Sequence, residues 1–141
     1  KNKNYYRKTN LLNVKNQKLF SSKTNMPKTG VEIKIGAIIY IMLIYPKICT
    51  IFDEKISLIN FRNKDFNNLK NSILKKVSNY PGISGKDLQQ MMINEGFTVQ
   101  INNFMQSNYP TRLNFDLNHL NEENICNIFR ELLSLLDYKN I

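Results

Sequence analysis

The chain has 141 residues and a mass of 16.6 kDa, enough for one compact domain and a tail and too little for a two-domain enzyme. With 42% hydrophobic residues it can bury a core, and its formal charge of +9 is unevenly placed. Residues 1–30 carry eight Lys/Arg and no acid, which leaves 12 cations against 11 acids in residues 31–141. Two cysteines, Cys49 and Cys126, stand 77 positions apart, so neither a disulfide framework nor a cysteine-based zinc motif is available, and a reduced, cytoplasmic protein is expected. The longest apolar run, Ile35 to Tyr45, has 11 residues, against about 20 for a membrane-spanning helix. The first eight residues are polar and lack the apolar stretch of a signal peptide, and a first residue other than Met predicts a fragment. Asn, Ile and Lys are abundant, residues with AT-rich codons, so the many Asn carry little functional information.

Residues 1–30 mix Lys, Asn, Thr and Ser with scattered Tyr5, Tyr6, Leu11, Leu12, Val14, Leu19 and Phe20 at no sustained period, and are expected to form a basic flexible linker. Its cations and the Tyr5-Tyr6-Arg7-Lys8 stretch would contact nucleic acid weakly and without sequence preference, or serve as a solvated spacer. Thr29-x-x-Glu32 matches a capping box and predicts a helix to about Tyr45, apolar all round and therefore central. Pro46 ends it and can open a short second helix with Ile48, Ile51 and Phe52 on one face. From Lys64 to Asn79 the spacing of Phe66, Leu69, Ile73 and Val77 predicts an amphipathic helix, with Lys70, Lys75 and Lys76 mostly opposite. Tyr80-Pro81-Gly82 breaks it. Ser84 to Asp87 resembles a second capping box, opening a helix to about residue 95 with Leu88, Met91 and Met92 inward and Gly96 closing it. Residues 99–107 predict a fifth helix, Asn108-Tyr109-Pro110 an interruption, and Asn121 a cap for a last helix striped with Ile125, Ile128, Phe129, Leu132, Leu133 and Leu136. No strand-like alternation persists. The expected fold is an all-α bundle of about five to six helices over 31–141, with Ile38, Ile39, Met42, Leu43, Phe66, Leu69, Ile73 and Leu88 buried.

No catalytic constellation is visible. The single histidine, His119, reads as a surface or cap residue, and the two cysteines as small apolar core groups. Asp53-Glu54 and Glu122-Glu123 are adjacent pairs that diverge on a helix, which suits a solvated face better than paired acid/base or metal chemistry. The five glycines stand singly, so no phosphate loop is present. Helix, Tyr80-Pro81-Gly82 and helix over 64–95 also permit a helix-turn-helix offering Lys86, Gln89, Gln90 and Asn94 to a DNA groove, although any exposed helix face carries such residues.

The run Glu32 to Ile48 with its Tyr45-Pro46 break, then Ile59-Asn60-Phe61, then Phe66 to Leu74, resembles the helicase-binding domain at the C-terminus of bacterial DNA primase. The resemblance covers Glu32 to Ile141, and the basic residues ahead of it resemble the linker that follows the polymerase core of such primases. It implies a helical domain without catalysis that binds the replicative helicase and couples primer synthesis to the fork. The zinc-binding domain and the magnesium-binding polymerase core of the family are absent from these residues, so no cofactor is expected in this chain. The family's terminal helical hairpin is represented only by Glu122 to Ile141 and is expected to be incomplete. Ile128, Leu135, Tyr138 and Ile141 would then meet a missing second hairpin helix or a partner helix. The N-terminal domain of the replicative helicase shares the pattern and is the nearest alternative, with a small nucleic-acid-binding module another; the basic tail favours primase.

Overall fold

Nine consecutive residues, Ile35 to Leu43, are buried in the computed structural model of the chain, which describes residues 30–114 and 119–136. They belong to helix α1, Gly30–Ile44, whose side chains from Ile35 onward are apolar around the whole circumference. Such a helix is stable only when neighbours cover every side. Those neighbours are α2 (Lys47–Ile51), α4 (Lys64–Asn79), α5 (Gly85–Asn94), α6 (Thr98–Met105), α7 (Tyr109–Leu113) and α8 (Glu122–Ser134), all of which pack on α1. With α3 (Asp53–Leu58) the described residues form eight helices and no strand, an all-α bundle around a central helix.

Local chemistry sets most of the boundaries. Pro46 lies at the N-cap of α2 with φ −58° and ψ −22°, and Phe52, at φ −111° and ψ 27°, separates α2 from α3. Asn63 Oδ1 accepts the Phe66 amide at 3.1 Å to open α4, Ser84 Oγ accepts the Asp87 amide at 3.1 Å to open α5, and Asn121 Oδ1 accepts the Asn124 amide at 3.1 Å to open α8. Gly96, at φ +102°, follows α5 as expected. The start of α5 abuts the end of α1: a Cβ on Gly85 would lie 2.7 Å from the Ile44 carbonyl oxygen and 2.8 Å from that of Leu43. Gln89 Nε2 reaches back to donate to the same Leu43 carbonyl at 3.2 Å, supplying a partner at the helix end where carbonyls lack one.

Several expectations are corrected. Two short helices, α3 and α7, raise the count beyond five to six. Asn108-Tyr109-Pro110 opens α7 instead of interrupting the chain, because Pro in a first helical turn gives up an amide that has no intrahelical acceptor. Ile51 is 42% exposed while Ile48 and Phe52 turn inward. Phe66 and Met91 are half-buried, Phe66 packing against Phe61 and Phe104 with ring centroids 6.5 and 6.4 Å away. Lys70 and Lys76 are buried on the inner side of α4, where only Lys75 of the three remains outside. Ile38, Ile39, Met42, Leu43, Leu69, Ile73 and Leu88 are fully buried, as the pattern predicts. The tail residues Tyr5, Tyr6, Arg7 and Lys8, the Thr29 cap, and Tyr138 and Ile141 lie outside the described residues.

Candidate functional site

The Tyr45-Pro46 break is fastened to the first turn of α8. Tyr45 Oη and Lys47 Nζ both donate to Glu122 Oε1, each at 2.9 Å. The Lys47 hydrogen bond, with that of Tyr45, holds the Glu122 carboxyl below its usual range, and the same carboxylate raises Lys47. Burial, with the Glu122 carboxylate second, raises the Tyr45 phenol. Glu122 is thus tied to another element, not merely part of a solvated acidic pair as its sequence suggests. The pin is exposed, so its energy is screened, and the buried face of α8 rather than the pin seats that helix on the body.

A second polar cluster was hidden from sequence reasoning. Lys70, 3% exposed, directs its ammonium at the carbonyls of Ile59 and Ile56, at 2.5 and 3.4 Å, just where α3 ends. It also lies 5.9 Å from the centre of the Phe61 ring. Burial lowers its pKa, while the carbonyls and the negative end of α3 compensate the charge. Lys76 is held by Glu95 at the C-cap of α5, joining α4 to α5 at 2.5 Å. Both lysines act as internal ties. Their stems supply apolar surface, a use that residue type alone does not announce.

The groups with reactive potential are muted or dispersed. Burial, with Asp53 nearby, pushes the Cys49 thiol up to about 12, which suppresses the nucleophilic thiolate. Cys126 is half-buried, less enclosed than a core cysteine, and His119 is exposed ahead of α8. Among the described residues no group of three His, Cys, Asp or Glu is placed to hold a metal ion, and no helix is long and apolar enough to cross a membrane.

The predicted partner face is only partly gathered. On α8, Ile125, Phe129, Leu132 and Leu133 are buried, with Phe129 5.1 Å from Phe52 between ring centres. Ile128 is half-buried against the core and has little surface to offer, whereas Leu135 at the end of the helix is 59% exposed. The groove-reading residues of the helix-turn-helix alternative are partly committed elsewhere: Gln89 to the Leu43 carbonyl, and Gln90 Nε2 to Asn94 Oδ1 at 3.1 Å. Comparison with protein-family models, curated proteins and solved structures finds no match to this chain.

Proposed function

We propose that the chain is a docking module of a bacterial-primase type, which attaches a primer-synthesising core to the replicative helicase in the cytoplasm and contributes contacts, not chemistry. The observation that carries this reading is the joint at Tyr45-Pro46. The residues on which the resemblance rests, an apolar helix, a Tyr-Pro break, a short helix and an amphipathic helix, correspond to α1, α2 and α4, which pack on one another, with α8 pinned to the break through Glu122. Leu135, at the far end of α8, is one of several apolar groups exposed among the described residues, with Leu58 and Val99 more exposed still, and it is the one that lies on the helix the resemblance assigns to the partner. An exposed leucine beside a polar face suits a helix-on-helix contact of modest area.

Titrating the full chain against the N-terminal domain of a replicative helicase tests the reading. Binding is expected, and Leu135→Asp should weaken it about tenfold, the cost of removing one well-placed apolar anchor. Removal of residues 1–29 should leave helicase affinity in place. Absence of binding by the parent chain would sink the proposal, and equal affinity of parent and Leu135→Asp would remove the end of α8 from the interface.

A further inference from the structure

Between α4 and α5 the turn over residues 80–84 leaves a shallow cleft, wide open to solvent. Gly82, at φ +83°, takes a left-handed conformation that lets the chain reverse directly after Pro81. The reversal leaves Tyr80, the C-cap of α4, 52% exposed at the cleft. Half-buried Ile83 and Met91 supply the apolar part of the lining, and Asn79, Asp87 and Gln90 the polar part. The Gln90 amide nitrogen is held by Asn94, which orients the amide and leaves its carbonyl oxygen as an acceptor.

We infer that this cleft receives one unstacked base of a single-stranded nucleic acid, its face on the Tyr80 ring and its edge toward the Asn79 and Gln90 amides. A planar base buries apolar area on an exposed ring and on Met91, and its edge needs both donors and acceptors, which two carboxamides supply. Asp87 disfavours an anion inside the cleft, so the uncharged base enters and the phosphates stay outside. There the chain carries exposed Lys75, one turn before Asn79 on α4, and Lys86, next to Asp87. This site uses a different helix pair from the helicase contact proposed above and stands or falls without it.

The test is fluorescence anisotropy of the full chain with a labelled oligothymidylate at a series of salt concentrations. Tyr80→Ala should weaken binding about five- to a hundredfold, the range for loss of one stacked base. Tyr80→Phe should stay near the parent, and the salt slope should be the same in all three because every cation is retained. Gln90→Ala provides a second variant, on an exposed helix face, with a smaller loss in the same direction. Circular dichroism confirms that each variant folds. Inorganic polyphosphate, which has charges but no bases, should bind parent and Tyr80→Ala alike. The inference is overturned if the parent does not bind the oligonucleotide, if Tyr80→Ala binds it as the parent does, or if polyphosphate affinity falls in proportion. It is also overturned if Tyr80→Ala spares the oligonucleotide and loses the helicase domain, which would give the cleft to a protein partner.

Discussion

Helices α1 and α8 are both rich in isoleucine and leucine, yet one is enclosed and the other is not. Every residue of α1 from Ile35 to Leu43 is buried, whereas α8 buries Ile125, Phe129, Leu132 and Leu133 at helical spacing and leaves Asn124, Asn127, Arg130, Glu131 and Leu135 outside. The difference lies in how many elements each helix meets: α1 touches six others, while the longest contact of α8 is with α1 itself. An enclosed helix has no surface left to offer a partner. Stability therefore belongs to α1, and a helix that packs on one side is where recognition can be placed without loss of the core.

That division can be broken most severely at the centre. Leu43→Ala should cost about 2–5 kcal/mol in urea denaturation, because the side chain is fully buried among fixed neighbours; a change below about half a kcal/mol would contradict the enclosure of α1. Lys70→Met keeps the buried stem but removes the donor to the Ile56 and Ile59 carbonyls, and should cost about 1–3 kcal/mol in the same measurement. A neutral result would mean that water or the backbone satisfies the end of α3.

The next effect is one of pH. With the Cys49 thiol raised by burial from about 9 to about 12, the native state keeps a proton that the unfolded chain gives up. The stability this confers is intact below pH 9 and is lost as pH rises toward 12, about 1.4 kcal/mol by pH 10. Burial raises the Tyr40 and Tyr109 phenols too, so they add losses of the same sign from about pH 10 upward, while Lys70, lowered by burial, works in the opposite sense. Comparing Cys49→Ala with the parent between pH 8 and 10 isolates the thiol: the difference in stability between the two should shift by about that amount, and a constant difference would refute the burial of Cys49. The smallest effect is expected at the exposed pin. Glu122→Gln should barely move the denaturation midpoint, with the small loss vanishing in high salt, since Lys47 and Glu122 are both well solvated. A large, salt-insensitive loss would make the pin part of the core.

Helix α4 was legible at both ends because two local signals agreed: a three-and-four spacing of Phe66, Leu69, Ile73 and Val77, and the Tyr80-Pro81-Gly82 stop. The enclosure of α1 was legible for a related reason, since a helix without a polar side has one stable environment. What escaped detection depends on segments distant in sequence. Lys70 is buried because a helix end 11 residues earlier presents a carbonyl to it, and Lys76 because Glu95 closes the following helix. Neither partner is marked by any period along α4. Asn108-Tyr109-Pro110 has the composition of a break, yet the Tyr109 ring stacks on Phe104 at 6.3 Å and meets Tyr40 at 5.4 Å, contacts that exist only after α6 and α7 fold onto α1. Of the expected partner face, the excess of apolar residues on α8 points to Leu135, which is exposed, and equally to Ile128, which the core half-covers, while the Tyr45–Lys47–Glu122 pin joins positions too far apart to be paired by inspection.

Gly36 faces the phenol of Tyr109 so closely that a Cβ there would overlap the hydroxyl oxygen and lie 2.9 Å from the ring carbon bearing it. Trimming Tyr109 to Phe removes the oxygen but leaves that carbon in the way. The two positions are therefore coupled in any lineage that keeps this packing: a side chain gained at 36 is tolerated only after the ring at 109 has been given up. Single substitutions at either place meet a clash or a void, and a bulkier residue at 36 should be found only with a smaller one at 109.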